Sequence, residues 1–343
     1  MSIRASLSRV AGAAGNYAML APLAAELVVS RRGFKQAVRD LELARTVAAA
    51  GGLTGERQVY LDAMFGWGLP FLFGTYCKLM GKRLRSDERK ALVLFFALSA
   101  PYDDLFDEQR ISAEQLHRVL GDAAYTPTSS DERLTRSLYR QLVGLAPARG
   151  NTCFDEAVGA LHVAQLDSVH RLDASSPPEL AAEVTYAKAR ATQAAAYALI
   201  RGRSSAEERE AEAAAAAWLQ LCDDALDRRE DRLEGRKTLL TACHRFADAA
   251  ELLERHRLAA FVKIRALRHL DARRLEEYLF RWYLVASAGM TYLYLDYQVE
   301  HGALPAIRLR DAVPLAGKLV AEYSPAASMR AIVLPSVGRR GGA

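Results

Sequence analysis

Turn-forming residues cluster at only a few places in this 343-residue chain, and the stretches between them are long. "AAAGGLTGE" at 48–56, "YTPTSSDE" at 125–132, "APARGN" at 146–151, "DASSPPE" at 173–179 and "GALPA" at 302–306 supply the residues that stop helices. Between them alanine and leucine dominate and β-branched residues are sparse, which favours helix over strand. The pattern predicts helices over 34–50, 54–80, 86–108, 112–121, 131–146, 153–172, 178–201, 205–234, 246–270 and 273–301, with a shorter one near 311–323. No alternating run of strand length is present. The expected fold class is all-α. Neither an internal repeat nor a low-complexity linker divides the chain. A single helical domain over 34–323 is therefore expected, after a basic segment 1–33 and before an irregular tail 324–343. Helices longer than about twenty residues and apolar on several sides should be central.

The net charge of +5 is spread along the chain, so no nucleic-acid partner is implied. The nearly uncharged stretches 91–102 and 282–295 fall short of the roughly 18 residues that a spanning helix needs. The N-terminus is basic, but its apolar part is interrupted and ends at Glu26. That reads as an amphipathic first helix rather than a targeting segment. Cys77, Cys153, Cys222 and Cys243 show no CxxC spacing and fit a reduced, cytoplasmic chain without a disulfide framework.

Two acidic clusters break the apolar pattern. "SAPYDDLFDEQR" at 99–110 follows the apolar run "ALVLFFALSA" and carries Asp103, Asp104, Asp107 and Glu108. "WLQLCDDALDRREDRLEGRKT" at 218–238 carries Asp223, Asp227 and Asp231, spaced four and four. Each such step turns a helix by about 40° and climbs about 6 Å, so these carboxylates form one stripe. Traced backwards, that stripe continues into Leu219, Ala215 and Ala211. The row from Asp107 and Asp103 continues into Ser99, Phe95 and Ala91. Asp224 has Arg228 four residues on as an ion-pair partner, but Asp223 and Asp227 each face another acid, and like charges at that spacing repel. Carboxylates without nearby histidine or cysteine are hard ligands that suit Mg²⁺, with Mn²⁺ as substitute. Two acidic rims above an apolar cavity would hold a diphosphate through metal, with an apolar tail below.

"DDLFDE" resembles the DDxxD motif of class I isoprenoid synthases, in the DDxFDE form of bacterial terpene synthases. "LQLCDDALD" is similar to the FQxxDDxxD second motif of trans-prenyl diphosphate synthases. The Asp223, Asp227, Asp231 stripe also fits the spacing of the terpene-synthase NSE/DTE motif. "EGRKTLLT" at 234–241 and "AQLDSVHRLD" at 164–173 are weaker echoes of prenyl-synthase segments. The resemblance covers roughly residues 80 to 245. It implies an isoprenoid-synthase-type helical bundle around a central apolar cavity, a cluster of three Mg²⁺ ions, a prenyl diphosphate substrate and room for a homodimer. It implies catalytic roles for Asp103, Asp104 and Asp223, and metal ligation by these with Asp107, Asp227 and Asp231.

Lys237 stands near the family's diphosphate lysine. Lys188 and Arg190 lie on the preceding helix, within reach of the same mouth, and Arg229 is a further base whose other reading is a surface ion pair. Aromatic faces stabilise an allylic cation, and Phe95, Phe96, Tyr197, Trp218, Tyr292 and Tyr294 are the candidates. "MFGWGLPFLFGTY" at 64–76 is another aromatic wall, in which Gly66, Gly68 and Gly74 allow close approach or a bend.

An elongating synthase also binds isopentenyl diphosphate. "GKRLR" at 81–85 favours that subclass, but it lies nearer Asp103 than the family places its basic segment. "QRISAEQ" stands where elongators carry RRGxP, and "AKARATQ" at 187–193 lacks their Lys-Thr pair. The balance favours a terpene cyclase over a trans-prenyl diphosphate synthase or a non-catalytic partner subunit. Three Asp in the second motif, where terpene synthases more often show Asn, Ser/Thr and Glu, are a departure. So is Pro101, which should kink or restart its helix. A ferritin-like di-iron bundle needs two Glu-x-x-His units, and only Glu114–His117 is present.

Overall fold

The computed structural model describes residues 25–53, 55–107, 111–171 and 176–302, and among them it is helical, with no strand. In chain order the helices are α1 (25–40), α2 (Leu43–Ala50), α3 (Gly55–Ala63), α4 (Leu69–Leu79), α5 (Ser86–Asp107), α6 (Ala113–Gly121) and α7 (Ser130–Gly144). There follow α8 (Thr152–Arg171), α9 (Pro178–Arg201), α10 (Ala206–Leu233), α11 (Leu239–Ala242), α12 (Phe246–Arg265) and α13 (Ala272–Glu300). The start of the basic N-terminal segment, the helix expected near 311–323 and the tail 324–343 lie outside the described residues. Among those described, no helix is long and apolar enough to cross a membrane.

Local chemistry accounts for the helix starts. Ser129 with Glu132, and Ser205 with Glu208, form reciprocal capping boxes at α7 and α10. The Asp271 side chain accepts from the Arg274 amide at the start of α13.

Several expected boundaries shift. The helix expected over 34–50 is two helices, because Glu42 adopts φ 47° and turns the chain between α1 and α2. That expected over 54–80 contains a π-helical turn at Met64–Gly68. A Cβ on Gly68 would lie 2.7 Å from Met64 Sδ, so a side chain there would make the flexible Met64 shift. A Cβ on Gly74 would come within 3.1 Å of Ser30 Oγ, so glycine lets α1 approach α4. α12 ends at Arg265 rather than 270, and α11 is a single capped turn inside "KTLLTA" that the sequence pattern does not single out. The restart expected at Pro101 does not occur: α5 runs unbroken from Ser86 to Asp107, with the proline ring buried.

Among the described residues two large apolar cores hold the helices, and a smaller cluster of Leu105, Phe106, Ile111 and Leu116 seats α6 against the end of α5. One large core joins α1–α5 to α7–α9 through Phe34, Phe73, Phe95, Leu138, Phe154 and Tyr197. The other packs α10 against α12 and α13 through Trp218, Leu253, Phe261, Leu279 and Trp282.

Candidate functional site

Residues from both cores line one cavity of about 510 Å³, within the roughly 300–1,000 Å³ usual for small-molecule sites. Its walls are mainly apolar: Phe73 from α4, Phe95 and Phe96 from α5, Phe154 from α8, Leu219 from α10 and Trp282 from α13. Asp103, Lys188 and Asp223, from α5, α9 and α10, belong to the same lining. A surface hollow of about 530 Å³ between α1, α2 and α7 is different in kind. Its lining is mostly polar and mixes Asp40 and Glu42 with Arg45 and Arg133, so it offers little to an apolar ligand.

The two acidic helices present their carboxylates unequally. Asp103, Ser99 and Phe95 succeed one another at four-residue steps down the cavity side of α5, and Leu219 lies one step below Asp223 on α10. Asp103 pairs with Lys188 Nζ at 3.1 Å. Asp104, one residue on and about 100° around the helix, points elsewhere. It is ion-paired with Arg57 of α3, which also holds Asp131 of α7 at 2.7 Å. Helical phase thus places Asp104 off the cavity lining. Asp107 ends α5 with its side chain outside the described set, as is all of Glu108.

On α10, Asp223 is open to water at the cavity and yet ringed by protein. Burial first, then Asp227 and Asp231, push its carboxyl up to about 6 against a hydrogen bond from Gln220. Asp224 does not meet Arg228; it accepts from Gln220 Nε2 at 3.0 Å, and burial raises it to about 7. Asp227 is exposed and raised by burial and then by Glu230. Asp231 is about 12 Å from Asp223 along the helix and about 80° around it. It lies buried with Arg236 3.6 Å away, off the cavity lining. Among the described residues, no three of His, Cys, Asp and Glu converge on one ion.

The bases divide likewise. Lys188 is at the cavity, whereas Arg190 is exposed and donates to the Tyr186 carbonyl of its own helix at 3.1 Å. Lys237 is exposed in the turn beyond α10, and Arg229 is half-buried, its charge acting on Tyr292. Of the aromatic candidates, Phe95, Phe96 and Tyr197 line the cavity. Trp218 does not: one residue before Leu219, it turns toward α12 and α13 and packs edgewise on Phe261 and Trp282. Tyr294 is 42% exposed against Phe246, and Tyr292 is half-buried near Asp227 and Asp296.

Sequence reasoning overlooked Tyr60 on α3. Its pKa is raised by burial and then by Asp223 and Asp103, against a smaller opposing effect of Ser99, so it stands within the field of both acidic helices. Nothing in "RQVYLDAMF" marks it, since the spacing is that of an ordinary helix face. Trp282 was equally unmarked within the aromatic stretch of α13.

No protein-family model matches the chain, no curated protein matches it, and no solved structure matches it.

Proposed function

We propose that the protein is a Mg²⁺-dependent terpene synthase of the class I type, which ionises an allylic prenyl diphosphate and cyclises the resulting carbocation. One observation carries the reading. An apolar cavity of about 510 Å³ has Asp103 and Asp223, one from each acidic helix, on its lining together with Lys188.

The donor set fits a hard divalent cation. Burial first, and then the neighbouring Asp227 and Asp231, raise the Asp223 carboxyl, and a bound cation would offset both. Asp103 and Asp223, which share the cavity lining, are the residues that would hold it; when bound, Mg²⁺ would supply Lewis-acid stabilisation of the leaving diphosphate. Lys188, already beside a carboxylate, donates charge-assisted hydrogen bonds to diphosphate oxygens. Phe95, Phe96 and Phe73 exclude water from the prenyl chain and turn aromatic surface toward a cation.

Chain elongation fits less well. The basic segment 81–85 precedes α5, and the helical rise from Ser86 to Asp103 alone is about 26 Å. Lys82 pairs there with buried Glu88 at 3.0 Å, so its charge has a structural partner.

The test is purified protein with Mg²⁺ and geranyl, farnesyl or geranylgeranyl diphosphate, each with and without isopentenyl diphosphate. A hydrocarbon or alcohol from the allylic substrate alone is expected, lost on chelation of the metal. Longer diphosphates formed only with isopentenyl diphosphate would show an elongator instead. Asp103→Ala and Asp223→Ala should each abolish turnover with helix content retained by circular dichroism; an active double variant refutes the metal-site assignment.

A further inference from the structure

A second, much smaller hollow adjoins the cavity. It measures about 30 Å³, and a void needs roughly 10–15 Å³ to admit one water. Gln193 and Tyr197 of α9 belong to both walls. Gln193 Nε2 donates to the Tyr197 hydroxyl at 2.7 Å, and its Oε1 is buried without a hydrogen-bond partner among the described residues. Tyr197 is held in place by stacking on Tyr76, with ring centroids 4.0 Å apart. An orphaned acceptor beside a void of this size is the setting in which proteins hold ordered water.

The same hollow is lined by Glu212 and Arg201. The Arg201 guanidinium is committed to Glu208, with Nη1 donating to Oε1 at 3.1 Å and Nη2 to Oε2 at 2.5 Å, and it stays 3.6 Å from Glu212. Glu212 accepts from Ser204 Oγ at 3.1 and 3.2 Å. Burial raises its carboxyl to about 7 despite Arg201, a value suited to a general base near neutral pH. Glu212 lies eleven residues before Asp223 on α10, so the hollow is about 16 Å along that helix from the acidic mouth.

We propose that this hollow holds a water between Gln193 Oε1 and the Glu212 carboxylate, and that this water captures the carbocation in the cavity, so that the product is an alcohol. The inference rests on the ionisation proposed above. In the capture step a water lone pair forms a C–O bond to the cationic carbon. One O–H bond of that water breaks, its proton passes to Glu212, and Glu212 later returns it to solvent. The net change converts allylic diphosphate and water to alcohol and diphosphate. Because the hollow is remote from the mouth, the oxygen lands on a carbon distant from the one that lost diphosphate.

The experiment is turnover by the full chain with Mg²⁺ and an allylic diphosphate in H₂¹⁸O, with products identified by mass spectrometry and NMR. An alcohol with one ¹⁸O on a distal carbon is expected. Glu212→Gln and Gln193→Leu should each lower the alcohol-to-hydrocarbon ratio at least tenfold; Glu212 is off the cavity lining, so its effect on the partition would not follow from a change in cavity shape. Hydrocarbon alone, label only on the carbon that carried diphosphate, or an unchanged ratio in both variants overturns the capture step. Should the variants not fold, a crystal structure of the unmodified protein decides: a water within hydrogen-bond distance of Gln193 and Glu212 is expected, and a dry hollow overturns the proposal. Absence of turnover with every allylic diphosphate overturns the ionisation and the capture with it; turnover without alcohol overturns the capture alone.

Discussion

Asp223, Asp224 and Glu212 all have raised carboxyl pKa values along one helix, and burial is the leading cause each time. Glu208, one turn before Glu212, goes the other way, to about 2, because Arg201, the Ser205 amide and His269 together outweigh its burial. The contrast makes a stability prediction for Glu212. Its folded value of about 7 lies above the ordinary 4.5. Between those values the folded state binds more protons than the unfolded state, so this group's contribution to stability falls as pH rises through the window. Glu212→Gln removes the titration. The variant should match the wild type near pH 4.5 and exceed it by about 2–3 kcal/mol at pH 8, measured by urea unfolding at pH 4.5, 6 and 8. A gap that stays constant across that range counts against a raised Glu212.

Helix α10 is tied to its neighbours by a residue that its own sequence context assigns wrongly. Four-residue spacing pairs Arg228 with Asp224 on the helix surface. Instead Arg228 is 1% exposed and crosses to α13. Its Nη1 donates to Asp296 at 2.5 Å and to Glu300 at 2.9 Å, and its Nε donates to the Leu240 carbonyl of α11 at 3.1 Å. The guanidinium also lies 3.8 Å from the Tyr297 ring centroid. Removing it leaves Asp296 buried without its cation. Arg228→Ala should therefore cost about 3–5 kcal/mol of unfolding free energy, read from the urea midpoint, and a loss below about 1 kcal/mol would contradict a buried ion pair. Helix limits were legible because they are local: capping boxes at Ser129 and Ser205 and the clusters of Gly, Pro and Ser write them out. The turn at Glu42 and the π-turn at Met64–Gly68 were not, since the first uses no turn residue and the second lies inside an uninterrupted helical stretch.

Which helices face one another is the part no local pattern carries. Periodicity identified the rows running back from Asp107 and from Asp231; of their members Asp103, Ser99 and Phe95, with Asp223 and Leu219, lie on the cavity lining, whereas Ala91, Asp227, Asp231, Ala215 and Ala211 do not. It could not separate Asp103 from Asp104, or Leu219 from Trp218, because helical phase acquires meaning only once a partner helix is in place. Nor could it distinguish basic residues near the site in space from those near it in sequence. Lys188 is eighty-five residues from Asp103 along the chain and 3.1 Å away in space, whereas Arg83 and Arg85, some twenty residues away, lie beyond the far end of α5. The difference has a kinetic consequence if diphosphate binds at the acidic mouth. Losing a charged hydrogen-bond donor to substrate costs about 1.5–3 kcal/mol, so Lys188→Ala should lower kcat/KM for the allylic diphosphate by roughly 10- to 150-fold. Arg83→Ala and Arg85→Ala, exposed and beyond the start of α5, which is about 26 Å of helical rise from Asp103, should leave it within about twofold at 0.15 M salt, where charges beyond roughly 8 Å are screened. Steady-state assays of the three variants with one substrate make the comparison. A loss at Arg83 or Arg85 equal to that at Lys188 would move the diphosphate to the opposite end of the helix and return the 81–85 segment to the active site.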